Sequence, residues 1–199
     1  MAEPVESVVA LRPRPGRPRS EACNAAIEDA VLDLLVEDGF GGVTMEGVAG
    51  RAGVGKATVY RRWSSKEQMV LDAVLRRCEE HVVSPDTGTL RGDLLEYCQA
   101  MLRKFRKDGP IMSAFVAETA RNPALAESFR RTFLDGRRAA VREILIRGVV
   151  RGELAAHADL ELLGDLGSAL MWHRMAVSGA ALSDDLPERV AELIVRAGK

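Results

Sequence analysis

AGVGKATVYRRWSSKE, residues 52–67, holds Lys56, Arg61, Arg62 and Lys66 and no acid before Glu67. On a helix from Lys56 to Trp63, Val59 and Trp63 fall four residues apart and share one face, which docks together with Val54. Lys56, Thr58, Tyr60, Arg61 and Arg62 are then left outside the docked stripe. Ala57 is small enough for close backbone approach near the helix N-terminus, where the dipole favours an anion. Lys and Arg neutralise phosphates, and Thr and Tyr hydroxyls donate to phosphate oxygens. A cluster of cations on its own usually marks only a solvated face. This one follows a capped helix and a glycine turn, which favours a short helix shaped to enter a major groove.

The flanking residues supply that frame. Ser20 is a plausible N-cap with Glu21 in the first turn, and Ala26, Ile27, Ala30, Val31, Leu34 and Leu35 recur at helical spacing until Gly39. The opposite face carries Glu28, Asp29, Asp33 and Glu37, and phosphates would repel it. Thr44 is the next N-cap, and TMEGVAGRA reads as a short helix ending at Gly53 with Met45, Val48 and Ala49 as its stripe. Gly47 and Gly50 each weaken that helix by roughly 1 kcal/mol relative to Ala, so it persists only by packing on its neighbours. A third helix spans about Gly55 to Trp63, and SSKE opens a fourth that runs to about Val82. Two short helices joined by a glycine turn and braced by longer ones form a helix-turn-helix arrangement.

The whole chain reads as all-α, with about nine helices. It has 199 residues, 47% hydrophobic and 5% aromatic, with Ala, Leu and Val supplying most of the apolar content. Beyond SPDTGTL, helices are expected near 89–107, 110–121, 124–151, 159–179 and 187–197. Breaks are expected at Asp108–Pro110, Asn122–Pro123, Gly152–His157 and Ser183–Pro187. Three regions follow: an Arg/Pro-rich arm over 1–19, a DNA-binding domain over 20–80 with its motif at about 43–62, and a regulatory domain over 84–199.

A net charge of -1 gives no global nucleic-acid signal, but the local distribution does. Residues 11–20 carry four arginines and residues 51–66 five cations, with no acid in either stretch. No apolar run approaches a transmembrane helix, and no signal peptide is evident, so a cytoplasmic location is expected. Cys23, Cys78 and Cys98 are odd in number and form no metal-ligand pair, which fits a reducing compartment. No metal or cofactor is called for. PGRPR, residues 15–19, resembles a minor-groove insert that would place Arg17 and Arg19 in a narrow groove; a merely solubilising tail is the alternative.

With Thr44 ahead of it, AGVGKATVYRRWSSKE resembles the helix-turn-helix of the TetR family of bacterial transcriptional repressors. That family's pattern is A-G-V-S, a small residue, then T-[LIV]-Y-x-[HY]-F-x-[ST]-K-E, and the resemblance covers residues 20–80. It implies phosphate contacts from Thr44, Thr58, Tyr60 and Lys66. Lys56 and Ala57 would lie at base edges, with Arg61 and Arg62 near the backbone or groove wall. Three positions depart from the pattern. Gly55 replaces the usual Ser cap at a cost of a few tenths of a kcal/mol, Trp63 replaces Phe, and Arg62 replaces His or Tyr.

The resemblance further implies a homodimer on a palindromic operator, formed by the last two helices of each subunit. Gly164, Gly167 and Ser168 would allow close helix approach, flanked by Leu163, Leu170, Met171 and Met175, with Val190, Leu193 and Ile194 on the final helix. Packing within one chain is the plainer use of these residues. A pocket for an apolar effector is expected from Tyr97, Met101, Phe105, Met112, Phe115 and Trp172, with Glu118, Thr119 or His173 as polar groups. Other classes stay open. An enzyme would need a constellation that His81, His157 and His173, far apart and without metal spacing, do not supply. A redox or metal sensor would rest on Cys78 and Cys98, on consecutive helices. A sequence-indifferent DNA-binding protein would share the fold but lack a specificity ratio.

Overall fold

The computed structural model describes residues 19–78 and 84–199. The expected apolar spacing builds α1 (Arg19–Gly42), which is interrupted at Gly39, where φ is 69°. Thr44 caps α2 (Met45–Arg51) by accepting from the Gly47 N–H at 3.0 Å. Gly53 ends α2 with φ 65°: its N–H reaches the Gly50 carbonyl, and the Val54 N–H reaches that of Ala49. This Schellman closure needs the left-handed region that glycine enters without strain. The chain then turns directly into α3 (Lys56–Tyr60) and on to α4 (Lys66–Cys78). Val59 and Trp63 are buried as their spacing predicts. The Trp63 indole N–H also donates to Asp72 on α4 at 2.8 Å, a bond that Phe could not make.

The second half comprises α5 (Leu90–Thr119), α6 (Pro123–Phe129), α7 (Asp135–Val150), α8 (Leu160–Trp172) and α9 (Leu186–Ala197). A π-helical turn, Arg130–Leu134, joins α6 to α7, and another, His173–Ser178, extends α8. The described residues form helices and connecting segments and no strand, so the fold is all-α. One expectation fails: no break falls at Asp108–Pro110, and α5 runs straight through Pro110. Tertiary packing overrides the local signal there. Asp108 is fully buried and accepts from the Arg77 Nε of α4 at 2.8 Å. Gly109 lets Met175 approach so closely that a Cβ there would collide with its Sδ.

Two apolar cores hold the chain together. The first joins α1–α4 to Phe115, Leu125 and Phe129, so α1 and α4, which carry the helix-turn-helix, are seated on α5 and α6. The second gathers Leu90, Leu94, Cys98, Ile144, Leu145, Met171, Val190 and Ile194 from α5, α7, α8 and α9. Four residues expected at a dimer interface belong to this second core. Leu163, Met171, Val190 and Ile194 are buried within the chain. A Cβ on Gly164 would meet Val141 at 3.2 Å, and one on Gly167 would meet Met101 at 3.1 Å. These small residues serve close packing of α8 on its own α7 and α5, and Met175 packs on Gly109. Of the expected set, only Ser168 and Leu193 are exposed. Helical spacing identifies a close-approach face, but not which helix approaches it.

Candidate nucleic-acid interface and effector cavity

The open face of the helix-turn-helix is built from α2 and α3. With Val59 and Trp63 docked, Lys56, Ala57, Tyr60 and Arg61 are exposed, and Thr58 is half-buried. Among the described residues, no acid lies within ion-pair distance of Lys56 or Arg61, so both charges are available. Thr44 is exposed while its hydroxyl caps α2. The Tyr60 ring is 52% exposed, and its hydroxyl donates to Glu46 Oε1 at 2.6 Å. That bond holds the Glu46 carboxyl below its ordinary range and raises the Tyr60 phenol. Glu46 is a partner the sequence reading missed. It stands one residue past the first position of α2, where an acid also reads as ordinary first-turn dipole compensation.

Two expected contacts are placed differently. The Lys66 ammonium donates to the Phe40 carbonyl at 3.0 Å and sits 4.4 Å over the Phe40 ring. It braces the end of α1 against the start of α4, which ties one of its three N–H donors to the protein. Arg62 is half-buried, with Nη1 enclosed and without a hydrogen-bond partner. Arg51, part of the basic stretch, is paired with Glu37 at 2.6 Å. Arg17 lies outside the described residues, and Arg19 is the first residue of α1.

Behind the reading head, a cavity of about 490 Å³ opens among α4, α5, α6, α7 and α8. Tyr97, Met101, Phe105, Met112, Thr119 and Trp172 line it, as expected. Phe105 and Trp172 meet edge to face with centroids 6.3 Å apart. Phe115 does not line it; fully buried, it packs against Phe129 at 5.0 Å in the first core. Glu118 and His173 are also absent from the lining. The wall instead carries Lys104, Arg130, Arg137, Arg138 and Asp165, none of which the sequence reading assigned to it. A signal was present: Arg130, Leu134, Arg137, Arg138 and Val141 recur every three or four residues, placing cations on an apolar stripe.

Cys78 and Cys98 do not form a pair. Burial pushes the Cys78 thiol up to about 11 and that of Cys98 up to about 12, and they sit in separate cores. Such protonated thiols are poor nucleophiles and poor metal ligands.

Comparison with known proteins gives the same reading across nearly the whole chain. Residues 27–73 match the family of bacterial regulatory proteins of the tetR type. Residues 84–194 match a tetracyclin repressor-like C-terminal domain. The chain belongs to the TetR family. It is 31% identical over 190 residues to the HTH-type transcriptional regulator YdeS of Bacillus subtilis, covering 95% of this chain and 94% of that one. It is 30% identical over 187 residues to the DNA-binding transcriptional repressor TetR of Mycobacteroides abscessus, covering 90% and 97%. Among solved structures, the TetR family transcription regulator SCO0332 superposes with a TM-score of 0.65 at 26% identity, over 88% of this chain and 97% of that one. The protein is therefore a TetR-family transcriptional regulator with an N-terminal helix-turn-helix. Among the described residues, no helix is long and apolar enough to cross a membrane.

Proposed function

We propose that this TetR-family regulator is a repressor that binds a palindromic operator as a homodimer and is released by a small effector held in the cavity. The observation that carries the reading is the placement of α4. Its first residue, Lys66, grips Phe40 beside the helix-turn-helix, and its last described residue, Cys78, lines the cavity. An effector that favours a shifted α4 would respace the two reading heads, weakening operator binding by its differential affinity for that state. In this reading Lys56 and Ala57 face base edges, while Thr44, Thr58, Tyr60 and Arg61 meet phosphates. The repressor sense is carried over from the Mycobacteroides abscessus relative.

The test is competition. An operator selected from random duplex should survive a large excess of unrelated DNA at a stated salt concentration, which a sequence-indifferent protein would not allow. On binding, the Tyr60 O–H exchanges Glu46 for a phosphate oxygen, so Tyr60→Phe should weaken every duplex alike by at most about 0.5–1.5 kcal/mol per subunit, the worth of one hydrogen bond. Relaxed preference at a single base pair would instead place Tyr60 at a base edge.

The dimer is proposed to form through the outward faces of α8 and α9. Leu162 is 62% exposed and Leu193 is 45% exposed, large apolar side chains on neighbouring helices. Leu162→Glu with Leu193→Glu should give a folded monomer by sedimentation velocity, with operator affinity lost in parallel. A dimer that survives both charges would move the interface elsewhere.

A further inference from the structure

The cavity wall is not electrically balanced. Arg130 is paired with Glu127 at 2.6 Å, Arg138 lies 3.9 Å from Asp165, and Lys104 lies 4.0 Å from Asp108. Arg137 differs. Its guanidinium stands 4.2 Å over the Phe133 ring, and its Nη2 reaches only the Cys78 carbonyl, at 3.4 Å. Its Nε is enclosed and has no hydrogen-bond partner. Among the described residues, no carboxylate lies within ion-pair distance of it. A partly buried charge without a counter-charge is costly, and a guanidinium with free N–H groups presents a planar fork suited to a carboxylate.

We infer that the cavity takes an amphipathic monoanion: a carboxylate on an aromatic or aliphatic body, with its oxygens on Arg137. One wall cation without an acid partner among the described residues argues for one negative charge, because the other three cations already have acids near them. The body fits the remaining wall of Met101, Phe105, Met112, Phe133 and Trp172, a mixture of flexible thioethers and flat rings. The carboxylate would replace the missing counter-ion beside Cys78, the last residue of α4, so charge neutralisation falls where a shift of α4 begins. This inference rests on the effector reading of the cavity, and it names the chemical class of that effector.

Calorimetric titration of the full chain with matched pairs tests it: octanoate against octanamide, and 2-naphthoate against 2-naphthamide. The wild-type protein should bind a carboxylate at least tenfold more tightly than its amide. Arg137→Gln should abolish that preference while leaving amide affinity within threefold, and Arg137→Lys should restore part of it. Equal binding of acid and amide by the wild type overturns the inference, and needs no variant to fold. So does a preference that survives Arg137→Gln, or a failure of both carboxylates to bind at millimolar concentration. Operator binding is measured separately by mobility shift. A carboxylate that binds as stated but leaves the operator complex intact supports the anion site and refutes the effector reading.

Discussion

Replacing Lys56 and Arg61 together by alanine is expected to weaken operator binding about a thousandfold near 0.15 M salt, with no change in fold. Each cation that neutralises a phosphate releases condensed counter-ions, contributing about 0.9 to the slope of log affinity against log salt. At 0.15 M each such contact is worth roughly 0.7 of a log unit; a dimer loses two of them at Arg61, and the loss of two Lys56 base contacts, at about 1 kcal/mol each, supplies the rest. Both side chains are exposed and lack an acidic partner among the described residues, so their removal should cost the fold little. Fluorescence anisotropy across a salt series should show the slope falling by about 2. Circular dichroism should show unchanged helicity. A slope that stays put would mean that α3 does not face the duplex. Loss of Lys56 alone should also shift base preference, because it projects from the first position of α3, the end of the helix that reaches base edges.

The same helix shows why this half of the molecule was readable from sequence. Thr44, Gly53, Val59 and Trp63 act through neighbours a few residues away, by caps, a left-handed turn and a helical stripe. Local chemistry decides their placement, and they lie where the pattern puts them. Lys66 escaped because its partner is a backbone carbonyl twenty-six residues away, and no side-chain pattern reports a carbonyl. Pro110 reads as a break until Arg77 and Met175, both distant in sequence, are seen clamping the residues just before it. Gly164 and Gly167 announce close helix approach correctly, but small size is silent about the approaching partner. The family resemblance led toward a second subunit, whereas the contacts are to Val141 and Met101. Arg137 was passed over because an arginine on a helix is ordinarily solvated. Only the fold shows it enclosed against Phe133.

Asp93→Ala is expected to be the most damaging change to stability among the charged residues, at about 3 kcal/mol, the lower end for breaking a buried ion pair. Asp93 is fully buried in the first turn of α5, where the helix dipole favours an anion. It accepts from the Thr87 hydroxyl at 2.7 Å and from Arg151 Nη1 at 3.0 Å, and Arg147 Nη2 lies 3.6 Å away. One carboxylate thus ties the segment before α5 to the end of α7, two of the helices that wall the cavity. Its removal takes the buried partner from two arginines, but Arg151 keeps Asp86, Arg147 keeps Glu143, and their side chains are 20% and 25% exposed, which holds the cost to the lower end. In a chain of this size, that should lower Tm by about 6–12 °C. The pH dependence has a definite sign. Burial alone would raise the Asp93 carboxyl, but the Thr87 N–H and hydroxyl together with Arg151 hold it below the ordinary range. A depressed carboxylate contributes stability above its unfolded pKa and loses it as pH falls through the lower folded value. The gap in Tm between wild type and Asp93→Asn should therefore be full at neutral pH and narrow on acidification below the ordinary carboxylate range. Melting curves followed at 222 nm across that range measure it, and a gap that widens toward acid would mean that Asp93 is held protonated in the fold.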